Sequence, residues 1–308
     1  MTQSTLRMAV APDPDGSATE VARAAGADVV PLEQAEALAW TVSDRDGFPD
    51  PLPPGVRWVQ LPSAGVETWL ADGVIDRDRT WSSAAGAYAL PVAEHALLLL
   101  LAGVRRLPAC VTATTWAKQA LMPELGTLQD ASVGIVGAGG IARALIPMLS
   151  ALGARSLAVN RSGREVPGAA MTVPAEDADT VWRAADHVVI AAPATPDTRH
   201  LVGRHQLELM GGNGWLVNVA RGPLIDTEAL LAALDEGLLD GAALDVTDPE
   251  PLPDGHPLWT HPRAIVTPHI ANPQVTLRSG FHQRLADNIE RQLAGTPLLG
   301  LVDLDNGY

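Results

Sequence analysis

The sequence predicts an α/β fold built on parallel sheets, and three observations carry that reading. Short apolar, β-branched runs alternate with amphipathic segments along most of the 308 residues. Those runs lack the apolar–polar alternation of a one-sided sheet, so they suit strands buried on both faces. One stretch, Ser132 to Asn160, holds a complete strand, glycine turn, helix and second strand.

From the start of the chain, Leu6 to Ala11 reads as a strand and Gly16 to Ala25 as a helix. Ala37 to Val42 is a further strand. Arg57 to Leu61 is another, set off by the proline-rich turn PDPLPPG before it. It delivers Pro62-Ser63-Ala64-Gly65-Val66, a small-residue turn whose backbone N–H groups suit a carboxylate as well as they suit an ordinary turn. Trp81 to Tyr88 reads as a glycine- and alanine-rich loop. Pro91 opens VAEHALLLLLAGVRRL, a helix apolar over most of its surface and therefore buried. Glu94 and His95 lie on it as packing or hinge residues. Beyond Asn160, strands are predicted over His187–Ala192, Leu216–Ala220, Ala242–Val246 and Ala264–Thr267. Asp226 caps a helix from Thr227 to Glu236 that Gly237 ends. Such alternation gives a parallel sheet with right-handed crossovers.

In the central stretch Val133 to Val136 is the strand, and Gly137-Ala138-Gly139-Gly140-Ile141-Ala142 is the turn. Gly137 permits the tight turn and Gly139 a close approach of backbone to a pyrophosphate. Ala142 stands where helix packs on strand. Ile141, Ala144, Leu145, Met148, Leu149 and Leu152 form the buried face of the helix; Pro147 interrupts it and Gly153 stops it. The free N–H groups at the helix start attract phosphate, so this unit predicts a dinucleotide site. Its second strand ends in Asn160-Arg161-Ser162-Gly163-Arg164, where an NAD-selective site carries an acid. No carboxylate repels a 2′-phosphate there, and Arg161 with Ser162 can bind one. NADP(H) is favoured and NAD(H) is possible.

Composition narrows the partners. The net charge of −15 argues against nucleic acid and against an anionic membrane surface. The chain is 47% hydrophobic and 19% charged, as a soluble protein with a sizeable core is. Its one cysteine, Cys110, excludes an intramolecular disulfide and reads as a small buried apolar residue. The longest apolar run, Ala96 to Ala102, is too short to span a bilayer, and the first residues do not read as a signal peptide. A cytoplasmic location is the expectation. The eight histidines show no metal-ligand spacing, so no metal is expected.

Three chemistry-bearing residues recur at equivalent places. Arg221, Asp245 and His269 lie at or just past the ends of successive predicted strands, 24 residues apart. In a parallel sheet those ends adjoin and face the crevice of the glycine turn. Glu250 follows in the proline-stiffened loop DVTDPEPLP on the same edge.

The segments VGIVGAGGIA, NVARGPLID, ALDVTDPEPLP and TPHIA, with VAEHALLLLLAGVRR and PATPDTRHL, resemble the D-isomer-specific 2-hydroxyacid dehydrogenases over roughly residues 57–285. The resemblance implies two doubly wound parallel-sheet domains, a Rossmann cofactor domain (101–275) inserted in a flavodoxin-like substrate domain (1–100 plus 276–308). It implies hinge helices near 91–106 and 275–294. His269 would be the general acid, Glu250 its hydrogen-bonded partner raising its pKa, and Arg221 the clamp on the substrate carboxylate. Ala64 and Gly65 would add backbone N–H groups to that carboxylate. Asp245 would face the nicotinamide carboxamide; Ala192, Pro193, Thr198 and Ala220 would complete the cofactor contacts around Gly137, Gly139, Gly140, Ile141, Ala142, Asn160, Arg161 and Ser162. Three departures stand out: Ala142 for a glycine, Gly140 for a frequent arginine, and Asn160 for the acid. The last is as in the family's NADP-preferring glyoxylate and hydroxypyruvate reductases. The expected substrate is a small anionic 2-oxo acid and the expected assembly a homodimer. The alternatives are an NAD-dependent dehydrogenase of a larger 2-hydroxy acid and a cofactor-sensing binding protein of the same fold. Trp58, Trp81 and Trp116 are candidates for the side-chain pocket, though core or interface packing suits each better.

Overall fold

The computed structural model describes residues 5–212 and 214–307. The chain divides into two units, Met1–Tyr88 with Gln274–Tyr308, and Ala89–Pro273. The divide falls at the start of a long helix, Ala89–Val104, rather than at residue 100 within it. That helix packs its buried face, Ala93, Ala96, Leu99, Leu100 and Gly103, on the second unit.

In the first unit the strands are β1 (Leu6–Ala11), β2 (Ala27–Val29), β3 (Ala37–Trp40), β4 (Trp58–Gln60) and β5 (Thr80–Ser82). They lie in the order β2-β1-β3-β4-β5, every pair parallel. This is the flavodoxin-like order. Helices α1 (Ser17–Ala24) and α2 (Glu67–Ala71) belong to this unit. One face of the sheet buries Met8, Ala22 and Trp58 with Phe281, Leu285 and Ile289 of the C-terminal helix. The other buries Leu38, Val59, Trp69 and Trp81. β5 occupies residues read from sequence as loop, because three residues are too few to show a period. β2 escapes sequence reading for the same reason.

The second unit begins with α3 (Ala89–Val104), α4 (Leu107–Thr112) and α5 (Lys118–Leu121). Then come β6 (Ser132–Val136), α6 (Gly140–Ala151), β7 (Arg155–Asn160), β8 (Met171–Pro174), α7 (Ala178–Ala184) and β9 (His187–Ile190). The unit ends with α8 (Arg204–Leu209), β10 (Trp215–Asn218), α9 (Thr227–Glu236), β11 (Gly241–Leu244) and β12 (Ala264–Val266). The seven strands run β12-β11-β10-β9-β6-β7-β8, all parallel, and the chain reverses direction between β6 and β9. Ligands of such sheets bind at that reversal, beyond the carboxyl ends of the strands. One face buries Trp182, Val188, Leu216 and Leu244; the other buries Leu100, Leu145, Leu149 and Trp215. After these strands the chain returns to the first unit as α10 (Gln274–Ala294).

α3 approaches β10 closely because position 103 is glycine: a Cβ there would lie 2.3 Å from the Trp215 ring. Gly103→Ala is expected to lower stability by about 1–3 kcal/mol through overpacking, read as a fall in the urea midpoint. Pro147 sits inside α6 on its exposed side, where water can satisfy the carbonyl it leaves without a partner. Cys110 corrects the expectation of a buried thiol. It is exposed, because α4 is a short helix that buries none of its residues.

Candidate active site

The ends of β10, β11 and β12 are level: Asn218 pairs with Leu244, and Leu244 with Val266. The chain leaving these three adjacent strands carries Arg221, Asp245 and His269. His269 Nδ1 lies 2.6 Å from Glu250 Oε1, and the other Glu250 oxygen accepts from Thr247 N at 3.4 Å. A carboxylate only accepts at neutral pH, so Nδ1 carries the hydrogen. Nε2 is then the nitrogen left to exchange a proton with a ligand. Both side chains are about half exposed, at 51% and 41%, so a ligand can reach the pair.

His269 has φ 53, in the left-handed region that a residue with a Cβ adopts at a cost of about 1 kcal/mol or more. Its surroundings hold it there. Its N–H donates to Asp245 O at 2.8 Å and to Thr267 O at 3.0 Å. The next two N–H groups, of Ile270 and Ala271, donate to the two oxygens of the Asp245 carboxylate at 3.0 and 2.9 Å. Thr267 Oγ1 donates to Asp245 Oδ1 at 2.6 Å, and His95 Nε2 lies 3.3 Å from that same oxygen. Burial favours the neutral acid of Asp245, but these hydrogen bonds outweigh it and bring the pKa down to about 2. At 1% exposure the Asp245 carboxylate turns into the protein, and four donors take its oxygens.

Arg221 is shaped by its neighbours in the loop. Buried Asn218 accepts from Ala220 N at 3.0 Å and donates to Arg221 O at 2.9 Å, folding the chain just past β10. Arg221 Nη1 donates to Ala220 O at 2.7 Å. Gly222 is a position sequence reading passed over. A Cβ there would lie 1.8 Å from Thr247 O, so only glycine lets this loop press against the one that carries Glu250.

The nucleotide features gather at the reversal of the sheet. Gly137 has φ 101, and a Cβ on it would lie 2.4 Å from Ala192 N, just past the end of β9. A Cβ on Gly139 would meet no protein atom. α6 starts at Gly140, so Gly140, Ile141 and Ala142 form its first turn, with N–H groups that have no acceptor inside the helix. These residues fit a dinucleotide pyrophosphate. Thr198 Oγ1 donates to Pro193 O at 2.8 Å and accepts from Thr195 N at 2.8 Å, setting the shape of the loop that follows Ala192. Asn160 also acts inward: Oδ1 accepts from Ser162 N at 3.1 Å and Nδ2 donates to Arg164 O at 2.7 Å. It is the pivot of an Asx turn that presents Arg161 and Ser162. Its amide shapes the loop.

Ala64 and Gly65 lie in the first unit. Their turn is braced on both sides: Tyr88 Oη donates to Pro62 O, and Ala84 N donates to Ser63 O at 2.8 Å. Burial pushes the Tyr88 phenol up to about 12, so it stays a neutral donor across the working pH range. Among the described residues the N–H groups of Ala64 and Gly65 have no protein acceptor. Trp58 and Trp81 are core residues, while Trp116 is 89% exposed. No group of acids, histidines and cysteines among the described residues could hold a metal.

The NAD-binding domain pattern of the D-isomer specific 2-hydroxyacid dehydrogenases matches residues 95–271. A protein from the proB 3′ region of Corynebacterium melassecola is 41% identical over 266 residues, which is 85% of this chain and 86% of that one. A glyoxylate reductase from Thermofilum pendens is 36% identical over 177 residues, 57% of this chain; that match spans about half, 52%, of the reductase. An NADPH-dependent glyoxylate/hydroxypyruvate reductase from Sinorhizobium meliloti, solved with NADP and sulfate, superposes with a TM-score of 0.78 at 25% identity. It covers 99% of this chain and 100% of that one. With its two parallel sheets and the strand-end residues of the second, the chain belongs to the D-isomer specific 2-hydroxyacid dehydrogenase family and is an NAD(P)-dependent oxidoreductase.

Proposed function

We propose that the chain is an NADP(H)-preferring reductase of small 2-oxo acids, of the glyoxylate or hydroxypyruvate type. The observation that carries this reading is the 2.6 Å His269–Glu250 pair on the strand edge that also carries Arg221. When bound, the nicotinamide supplies the hydride. His269 gives a proton from Nε2 to the carbonyl oxygen and takes it back in the reverse direction. Glu250 holds the imidazole through Nδ1 and balances its charge. Arg221 binds the substrate carboxylate with its planar fork.

Support for NADP comes from the 160–164 loop, where Asn160 makes the Asx turn and no acid stands at the strand end. The similar reductase from S. meliloti is NADPH-dependent. With glyoxylate, kcat/KM for NADPH is expected to exceed that for NADH by at least about 10-fold, and Arg161→Ala to remove most of that difference, as loss of a charge-assisted phosphate contact does. Equal values for the two coenzymes in the unaltered protein would remove the NADP assignment. We also read the chain as a cytoplasmic homodimer. Leu107, Val111, Trp116 and Met122 form a run of exposed apolar side chains suited to cover by a second copy. No helix of the described residues is long and apolar enough to cross a membrane.

A further inference from the structure

We propose that His95, on the apolar helix α3, is a positioning residue that sets the catalytic loop through Asp245 and Thr267; this rests on the reading of His269 as the proton donor. A histidine 12% exposed on a helix of this kind needs a polar partner, and the geometry supplies one. His95 Nε2 lies 3.1 Å from Thr267 Oγ1 and 3.3 Å from Asp245 Oδ1. Thr267 gives its own hydrogen to Asp245, so its oxygen accepts from His95 and Nε2 carries the hydrogen.

Everything downstream of that hydrogen bears on one residue. Asp245 Oδ1 accepts from Thr267, His95 and Ile270 N, and Oδ2 accepts from Ala271 N. The two peptide groups so held follow directly after His269, whose φ of 53 does not maintain itself. The His95 and Thr267 hydrogens fix the rotation of the carboxylate. Without them it can turn, the Ile270 and Ala271 N–H groups lose their acceptor, and the imidazole no longer points its Nε2 in one direction. Among the described residues His95 makes no hydrogen bond to Glu250 or to the His269 ring. It acts on the backbone beneath the acid, from a helix distant in sequence.

The test uses the full-length protein with His95→Leu, which removes the donor, and His95→Gln, which keeps an N–H near the position of Nε2. With NADPH and glyoxylate, His95→Leu is expected to lower kcat by about 10- to 100-fold, the scale of a misplaced catalytic group. The Kd for NADPH stays unchanged, and His95→Gln recovers most of kcat. Thr267→Val removes the same link from its other end and is expected to lower kcat in the same direction, which keeps the test intact if His95→Leu does not fold. His95→Leu with wild-type kcat, or His95→Gln as impaired as His95→Leu, would overturn the proposal. His269→Gln serves as the control that separates the two readings. If it retains turnover, the acid assignment fails, and the His269 ring resonance followed across pH then decides the link to His95. That resonance is expected to move in His95→Leu and to return to the wild-type position in His95→Gln; an unmoved resonance counts against the proposal.

Discussion

His269→Gln is expected to lower kcat/KM for glyoxylate reduction by about 10²- to 10⁴-fold, the usual contribution of a positioned acid. Glutamine keeps a donor of similar reach, but its amide does not give up a proton at any working pH. The backbone at 269 is held by Asp245 O, Thr267 O and the Asp245 carboxylate, none of which involves the imidazole. The variant should therefore fold, and NADPH should bind it as before. The loss should appear mainly in kcat, because the proton is transferred in the transition state. Turnover within a few fold of wild type would remove His269 from the mechanism, whatever the coenzyme.

Arg221→Lys comes next in size, with an expected loss of about 10²- to 10³-fold in kcat/KM, the worth of exchanging a two-pronged charged contact for a single one. The substitution keeps the charge, so the loss measures geometry. One arm of the guanidinium is committed to Ala220 O, and Asn218 fixes the backbone of the loop. A lysine ammonium cannot keep that anchor and also grip a carboxylate in its plane. KM for the 2-oxo acid should rise and kcat should fall, with the Kd for NADPH unaffected. A variant with wild-type kinetics would show that the carboxylate is held elsewhere.

Much of the fold is legible in the sequence because parallel strands buried on both faces read as apolar runs, and β6, β9 and β10 do. The positions of Arg221, Asp245 and His269 at neighbouring strand ends follow from the regular spacing of those runs. Contacts formed only in three dimensions were out of reach. His95 looks like one more residue on an apolar helix until the fold brings Thr267 and Asp245 to it, 172 residues along the chain in the case of Thr267. Asp245 sits where a cofactor contact is expected, and the bonds its carboxylate makes within its own loop are not legible in the sequence. The same holds for Gly222 and Gly103, which need to be glycine because of a carbonyl and an indole ring that no local pattern reveals. Cys110 misleads for the opposite reason: its residue type suggests burial, but α4 packs none of its side chains inside.

The most direct test of hydride transfer to a small 2-oxo acid is the initial rate of coenzyme oxidation with glyoxylate, hydroxypyruvate and larger 2-oxo acids, each offered with NADPH and with NADH. Rapid NADPH-dependent reduction of glyoxylate or hydroxypyruvate, falling away with the larger acids and with NADH, is the predicted result. Tight NADPH binding without turnover of any 2-oxo acid would contradict it and leave the chain a cofactor-binding protein.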